Sequence, residues 1–349
     1  MKAVVFHEFG GSDVLRVEDL DDPRPGPGEV AIDIDACALN HLDVDVREGV
    51  SRFPVEPPFV LGVEVVGRIS ELGEGVESWK IGDRVMPYLM GTCGQCRYCR
   101  TGRESLCLTP GFISFSTSGG YAEKLTCPVG HLIPVPDELT NEAAAALQIA
   151  FATSWHMLFT RGKLRAGETV LINSVGSGIG SAAVQLASLA GAYVIGNASS
   201  DDKLARASEF GMHVGINHQT QDVVEEVLKA TDGQGVDLVY EHVGGELFQK
   251  GLDSLTKDGR MVICGGHAGE VVPFDIIPFF RTQKQIIGSF VYDRWEVEKV
   301  LELASRGLIT PLVYKTFPLH EAPEAMATME RREHFGKIIL AISSGRRNA

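Results

Sequence analysis

Residues 169–187 read TVLINSVGSGIGSAAVQLA, and this stretch decides the fold. A compact apolar run ends at a glycine-rich turn in which Gly178, Gly180 and Ala183 satisfy G-x-G-x-x-[G/A], and a helix-like segment follows. Glycine allows a tight turn and close backbone approach. The amides of Gly178, Ile179 and Gly180 at the helix start can then meet a pyrophosphate, whose charge the helix dipole favours. Alone the motif is weak. Its position at a strand-to-helix junction makes it a dinucleotide fingerprint.

Further along, AYVIG, HVGIN, VDLVY, RMVIC and IIGSFV repeat the rhythm of short apolar runs separated by helix-like segments. SSDDKLARASEFG predicts one helix, with a serine cap, an acidic first turn and Gly211 as its stop, and DVVEEVLKA predicts another. Such runs are buried on both faces of a doubly wound parallel sheet. Up to about Val135 the pattern differs. In EVAIDIDA, Val30, Ile32 and Ile34 share one face of a half-buried strand, and shorter strands are expected at Val63 to Ile69 and Arg84 to Tyr88. The expectation is an α/β chain. Residues 1–140 and 313–349 form a mostly β domain to which the final strand KIILAI returns, and residues 141–312 form the dinucleotide-binding domain.

After the second apolar run comes VIGNASSDDK, where a residue reading the adenosine ribose belongs, commonly an acid for NAD. Ala198 stands in that place. Ser199, Ser200 and Lys203 offer hydroxyls and a positive charge to a 2′-phosphate, which favours NADP(H) over NAD(H). A capping serine and a solvated lysine are compatible with the same residues.

Thirty-two basic against 46 acidic residues give a net charge of -14, which repels phosphate backbones and anionic lipid, so a small-molecule substrate is expected rather than nucleic acid or a membrane. An apolar fraction of 44% and a charged fraction of 22% set aside disordered and fibrous classes. The start MKAVVFHEFGG lacks a signal peptide's apolar stretch, and the expected location is cytoplasmic. Four of the seven cysteines, Cys93, Cys96, Cys99 and Cys107, have the spacing C-x2-C-x2-C-x7-C of a closed tetrahedral zinc site, in a lobe spanning about 91–110. Four thiolates leave no open coordination position, so this zinc is structural. Cys37, Cys127 and Cys264 read as small buried hydrophobes.

PGPGEVAIDIDACALNHLD, LGVEVVGRI, GDRV, the cysteine lobe, GGYAEK, SGIGSAAVQ and FGKIIL together resemble the zinc-containing branch of the medium-chain dehydrogenase/reductases over nearly the whole chain. The resemblance implies a GroES-like catalytic domain, a Rossmann domain, an active site in the cleft between them, and a homodimer or homotetramer paired through IIGSFVYD. It also implies where a second, catalytic zinc would be held. Asn40 stands in place of the cysteine ligand, Val63 in place of the histidine, and LQIAFATSW around Ile149 supplies no third ligand. Leu42 replaces the hydroxyl that relays the alcohol's proton.

Without that Lewis acid an alcohol is hard to ionise, whereas hydride addition to a conjugated acceptor needs only preorganised hydrogen bonds to the developing charge. The resemblance is strongest to quinone oxidoreductase-like members. It implies that Asn40 orients or polarises the substrate oxygen, unless its amide merely satisfies loop backbone. By the same resemblance His41 touches the cofactor pyrophosphate, Thr153 lies beside the nicotinamide, and His218 lies near the adenine or 2′-phosphate. Gly265, Gly266, Ser289 and Phe290 contact the carboxamide, while Asp43 and Glu64 serve as buried hydrogen-bonding or ion-pair residues. The expected activity is NADPH-dependent reduction of activated double bonds or quinones. The alternatives are an alcohol dehydrogenase or carbonyl reductase of the same family, and an NADPH-binding protein whose catalysis has lapsed. Substrate choice is expected to depend on the loops Arg47 to Pro58 and Pro110 to Ser118.

Overall fold

The computed structural model describes residues 1–53, 55–112 and 119–342, so Pro54 and residues 113–118 of the expected pocket loops lie outside the described residues. The chain divides into two compact units. One comprises Met1–Gln148, Val297–Gly307 and Pro311–Ala349, the other Ile149–Glu296 and Leu308–Thr310.

The second unit is built on six parallel strands in the order Val214–Asn217, Tyr193–Ala198, Thr169–Ile172, Val236–Glu241, Leu255–Ile263 and Gln285–Gly288. In chain order this is 3-2-1-4-5-6, the doubly wound arrangement, and each strand arises from one of the six apolar runs. Leu171, Ile195, Ile216, Val239 and Met261 contribute one core residue from each of the first five strands in the chain, packed with Val223, Val227, Phe248 and Leu252 of two helices. Side-chain caps start these helices where the sequence puts them. Ser177 accepts from the Gly180 amide, Ser200 from Lys203 and Asp222 from Glu225, each worth about 1 kcal/mol. Thr153 sits on the short helical turn Thr153–Trp155, between π-helical turns at Gln148–Ala152 and His156–Arg161 that the sequence pattern does not announce.

The first unit is mostly antiparallel. Its largest sheet runs Leu132–Pro134, Arg84–Pro87, Glu64–Leu72, Glu29–Ala38, Lys337–Ala341, Val313–Pro318, with Lys124–Pro128 also paired to Glu29–Ala38. Val30, Ile32 and Ile34 are buried as their alternation predicts, while Asp33 and Asp35 remain partly exposed. Register has a direct consequence for the candidate site. Ala38 faces Glu64 on one side and Ile339 on the other, and Leu39 continues the second pairing by donating to the Ile338 carbonyl at 2.9 Å. Residues 40, 64 and 337, far apart in the chain, are thereby drawn to one end of the central strand. A separate ribbon pairs Met90–Gly91 with Gly111–Phe112 and closes the base of the cysteine lobe. Among the described residues, no helix is long and apolar enough to cross a membrane.

Candidate functional site

The residues expected to hold the cofactor in the second unit lie just beyond the carboxyl ends of its parallel strands, the edge at which open α/β sheets bind ligands. Gly178, Ile179 and Gly180 follow Thr169–Ile172; Ser199, Ser200 and Lys203 follow Tyr193–Ala198; His218 follows Val214–Asn217. Gly265 and Gly266 follow Leu255–Ile263, and Ser289 and Phe290 follow Gln285–Gly288. Gly180 has no room for a side chain, since a Cβ there would lie 2.2 Å from the Ser174 carbonyl oxygen. Lys203 lays its stem across the glycine-rich turn, so that a Cβ on Gly176 would meet the Lys203 Cδ at 2.8 Å. The Ser200 hydroxyl acts as the helix cap and Ser199 is exposed. Ser289 Oγ is buried without a hydrogen-bond partner among the described residues, as a ligand-binding hydroxyl would be in the free protein. These features fit a nicotinamide dinucleotide.

Beneath this edge runs a buried polar network that the apolar-run reading did not detect. Asn197 donates to Asn173 Oδ1 at 2.5 Å and accepts from the Ser174 amide at 3.2 Å, while its Oδ1 also faces His218 Nδ1 at 3.2 Å. Glu241 accepts from Asn173 and from the amides of Val243 and Gly244, and Ser154 Oγ links the Ile179 carbonyl to Tyr240 Oη, each at 2.9 Å. Burial holds His242 down to about 4, and its neutral ring donates from Nε2 to the Asn173 carbonyl at 2.8 Å. Burial, and then Lys250, also lowers His218, which makes it a poorer cationic partner for a phosphate than Lys203.

In the cysteine lobe the four Sγ atoms lie within 4.8 Å of one another, with Cys96 to Cys99 at 3.5 Å and Cys93 to Cys99 at 4.0 Å. A tetrahedron with zinc–sulfur bonds of about 2.3 Å has edges of about 3.8 Å. Backbone amides are already turned toward the sulfurs: Cys93 donates to Cys107 Sγ at 3.4 Å and Cys96 to Cys93 Sγ at 3.4 Å. Amides of Cys99 and then Leu108 pull Cys96 down to about 6, whereas burial and neighbouring thiols push Cys99 up to about 12. A dication removes that conflict by holding every sulfur as thiolate. The lobe fits one zinc ion.

Asn40 caps the helix His41–Glu48, the first residue of which, His41, is exposed. The Asp43 carboxylate reaches back to accept from the Asn40 amide N–H at 2.8 Å, from Gly62 at 3.1 Å and from Tyr121 Oη at 3.2 Å. Burial raises Asp43 to about 6 in spite of these donors. The Asn40 side chain is fully engaged: Nδ2 donates to Glu64 Oε2 at 3.1 Å and to the Ala38 carbonyl at 3.3 Å, and Oδ1 accepts from Lys337 Nζ at 2.6 Å. Lys337 Nζ also meets Glu64 Oε2 at 2.9 Å and the Leu39 carbonyl at 2.8 Å. The loop-backbone role expected of Asn40 thus coexists with side-chain bonds that the sequence did not reveal. A substrate oxygen can reach its N–H donors only by exchange.

Residues 26–137 match the alcohol dehydrogenase GroES-like domain, and residues 178–306 match the zinc-binding dehydrogenase family. An alcohol dehydrogenase of Geobacillus stearothermophilus is 32% identical over 98% of this chain and 99% of its own length. The chain belongs to the zinc-type medium-chain dehydrogenase/reductases. A 2-haloacrylate reductase of a Burkholderia species is 30% identical, covering 97% of this chain and 98% of the relative. Among solved structures, an NAD-dependent alcohol dehydrogenase superposes with a TM-score of 0.93 at 37% identity, over 98% of this chain and 99% of that one. This medium-chain dehydrogenase/reductase is therefore an NAD(P)-dependent oxidoreductase, with a GroES-like and a Rossmann domain.

The second metal of zinc alcohol dehydrogenases does not fit here. Asn40 offers a neutral amide already bonded to an ammonium and a carboxylate, and Val63 offers only an aliphatic group. The residue that sequence reasoning missed is Lys337. It was visible inside FGKIIL as a lysine opening an otherwise apolar strand, a placement that demands a buried partner.

Proposed function

We propose that this enzyme reduces activated carbon–carbon double bonds or quinones with NADPH, holding a structural but no catalytic zinc. The observation that carries the reading is the occupation of the Asn40 position by a closed Asn40–Glu64–Lys337 cluster where a metal-ligand set would be needed. When bound, the nicotinamide supplies the hydride. The chain's task is to orient it and to stabilise negative charge developing on the acceptor oxygen. Thr153, buried on its helical turn, is assigned the side of the nicotinamide, His41 the pyrophosphate, and Asn40 the substrate oxygen. Gly178, Ile179 and Gly180 serve the pyrophosphate, while Gly265, Gly266, Ser289 and Phe290 serve the carboxamide. Lys203 over the glycine turn and Ala198 in place of an acid support NADP(H) over NAD(H), with Ser199 and Ser200 as further contacts near the 2′-phosphate and His218 near the adenine or 2′-phosphate. The similarity to a reductase of a conjugated acid supports the substrate class.

A second reading, oxidation of alcohols, is favoured by the alcohol dehydrogenases among the similar proteins. Two measurements on the purified enzyme separate them. The proposal expects one zinc per chain by elemental analysis and NADPH oxidation with enones or quinones but not with simple aldehydes. Two zincs per chain with brisk oxidation of primary alcohols would overturn it. We place the enzyme in the cytoplasm, where the thiols of the lobe stay reduced, and as a homodimer or homotetramer joined through the edge strand Gln285–Gly288.

A further inference from the structure

We propose that Lys337 is a positioning residue of the Asn40 site, whose ammonium orients and polarises the Asn40 amide and acts on substrate through it. The inference rests on the zinc-free reading of this site.

The ammonium is held by three oxygens, Leu39 O, Asn40 Oδ1 and Glu64 Oε2, at 2.8, 2.6 and 2.9 Å. Those three acceptors use all three of its N–H donors. Its side chain is 9% exposed and that of Glu64 is 1% exposed, so the pair is desolvated and its geometry is tightly specified. The carboxylate carries the charge that balances the lysine. The position follows from sheet register, since the antiparallel pairing of Ile339 with Ala38 brings Lys337 opposite Asn40.

The two charges also settle which way the Asn40 amide faces. Its oxygen must meet the ammonium and its nitrogen the carboxylate; a flipped amide would set NH2 against NH3+ and oxygen against carboxylate. An ammonium on the amide oxygen draws electron density from the nitrogen and strengthens Asn40 as a donor. Of its two N–H bonds, the one to Ala38 is the longer, 3.3 Å against 3.1 Å to Glu64. That hydrogen is the one available for exchange onto a substrate oxygen as negative charge builds there. A metal would polarise the oxygen directly. Here a fixed cation does so at one remove, through an amide it also orients.

The test is chemical rescue of the full-length enzyme, with whichever acceptor the wild type turns over. Lys337→Ala is expected to lower kcat about 30-fold or more while leaving KM for NADPH within twofold, and ethylammonium chloride should restore at least tenfold of that loss in a saturable manner. Sodium chloride at equal ionic strength should restore none. Asn40→Ala should cost a similar factor, and Asn40→Ala/Lys337→Ala no more than either alone, because both act through one amide. Four results would overturn the proposal: a kcat loss smaller than about 30-fold, no saturable rescue by ethylammonium, a loss confined to KM for NADPH, or multiplicative losses in the double variant. Should Lys337→Ala fail to fold, Lys337→Met fills the same volume without the charge and is held to the same kcat and KM criteria. Zinc content and acceptor range of the wild type judge the functional reading separately, so either idea can fail while the other stands.

Discussion

At Gly62 a single added methyl group would disturb the candidate site. The residue has a φ of 102°, and a Cβ there would lie 2.6 Å from the Tyr121 ring and 2.8 Å from the Tyr121 backbone nitrogen. Gly62→Ala should therefore cost about 3 kcal/mol through backbone strain and overpacking, read as a lowered urea midpoint. The Gly62 amide also donates to Asp43, whose raised pKa has its own consequence. From an ordinary value of 3.8 to about 6, the folded chain holds this proton more tightly than the unfolded chain. The resulting stabilisation is complete below about pH 4 and is lost as pH rises through about 6, an effect of about 3 kcal/mol. Tyr121→Phe removes a donor that favours the carboxylate, so the Asp43 titration followed by carbon-13 NMR should move further upward. A downward move would contradict the assignment. That Asn40 and Val63 stand where the resemblance implies metal ligands was legible in the sequence because it is a matter of residue identity. The partnership with Lys337 was not, because it depends on register between segments nearly 300 positions apart.

The loop that follows Thr169–Ile172 and the helix that follows Tyr193–Ala198 touch at Gly176, and both are proposed to serve the cofactor. Gly176→Ala pushes against the Lys203 stem, and Lys203→Ala removes its charge. Each is expected to raise KM for NADPH about tenfold, equivalent to about 1.4 kcal/mol, with KM for NADH changed less than twofold. Equal effects on both cofactors would remove the case for NADP(H). The cysteine lobe is a second separable element, closed at its base by the Met90–Gly91 and Gly111–Phe112 ribbon. Cys107→Ser should release zinc and speed amide hydrogen exchange across residues 91–112, while exchange in Thr169–Ile172 and Val236–Glu241 stays unchanged. The six parallel strands were readable because strands covered on both faces are unbroken apolar runs. The helical turns from Gln148 to Arg161 were not, because π-turns add a residue per turn and blur the 3.6-residue period. The Asn173–Asn197–Glu241 network was hidden too, its members being single polar residues at the ends of those same runs.

For the molecule as a whole, the exposed apolar surface is concentrated near the sheet edge of the second unit. Ile276, Ile277 and Phe280 are each more than half exposed beside the edge strand that carries Ile286. Contiguous exposed apolar patches mark interaction sites, and a second copy of the chain is the proposed partner here despite a net charge of -14. Light scattering should give a multiple of the chain mass, and Ile277→Glu with Ile286→Asp should reduce it to the single-chain value. A wild-type monomer would rule the assembly out. The change from period-two alternation to apolar runs leads to an expected boundary at 140/141, whereas the first compact unit also takes in 141–148 and Val297–Gly307. The sheet that joins Lys337–Ala341 to Glu29–Ala38 has a consequence for biosynthesis. Its central strand emerges early from the ribosome, yet its neighbour emerges some three hundred residues later, after the whole parallel-sheet unit. At a few to twenty residues per second the nascent first unit waits for many seconds with the Ala36–Ala38 end of that strand's edge open, the rest being covered by Lys124–Pro128. The newborn chain is then most exposed to wrong pairing and most in need of a chaperone, and the segment that ends this period is the one that delivers Lys337.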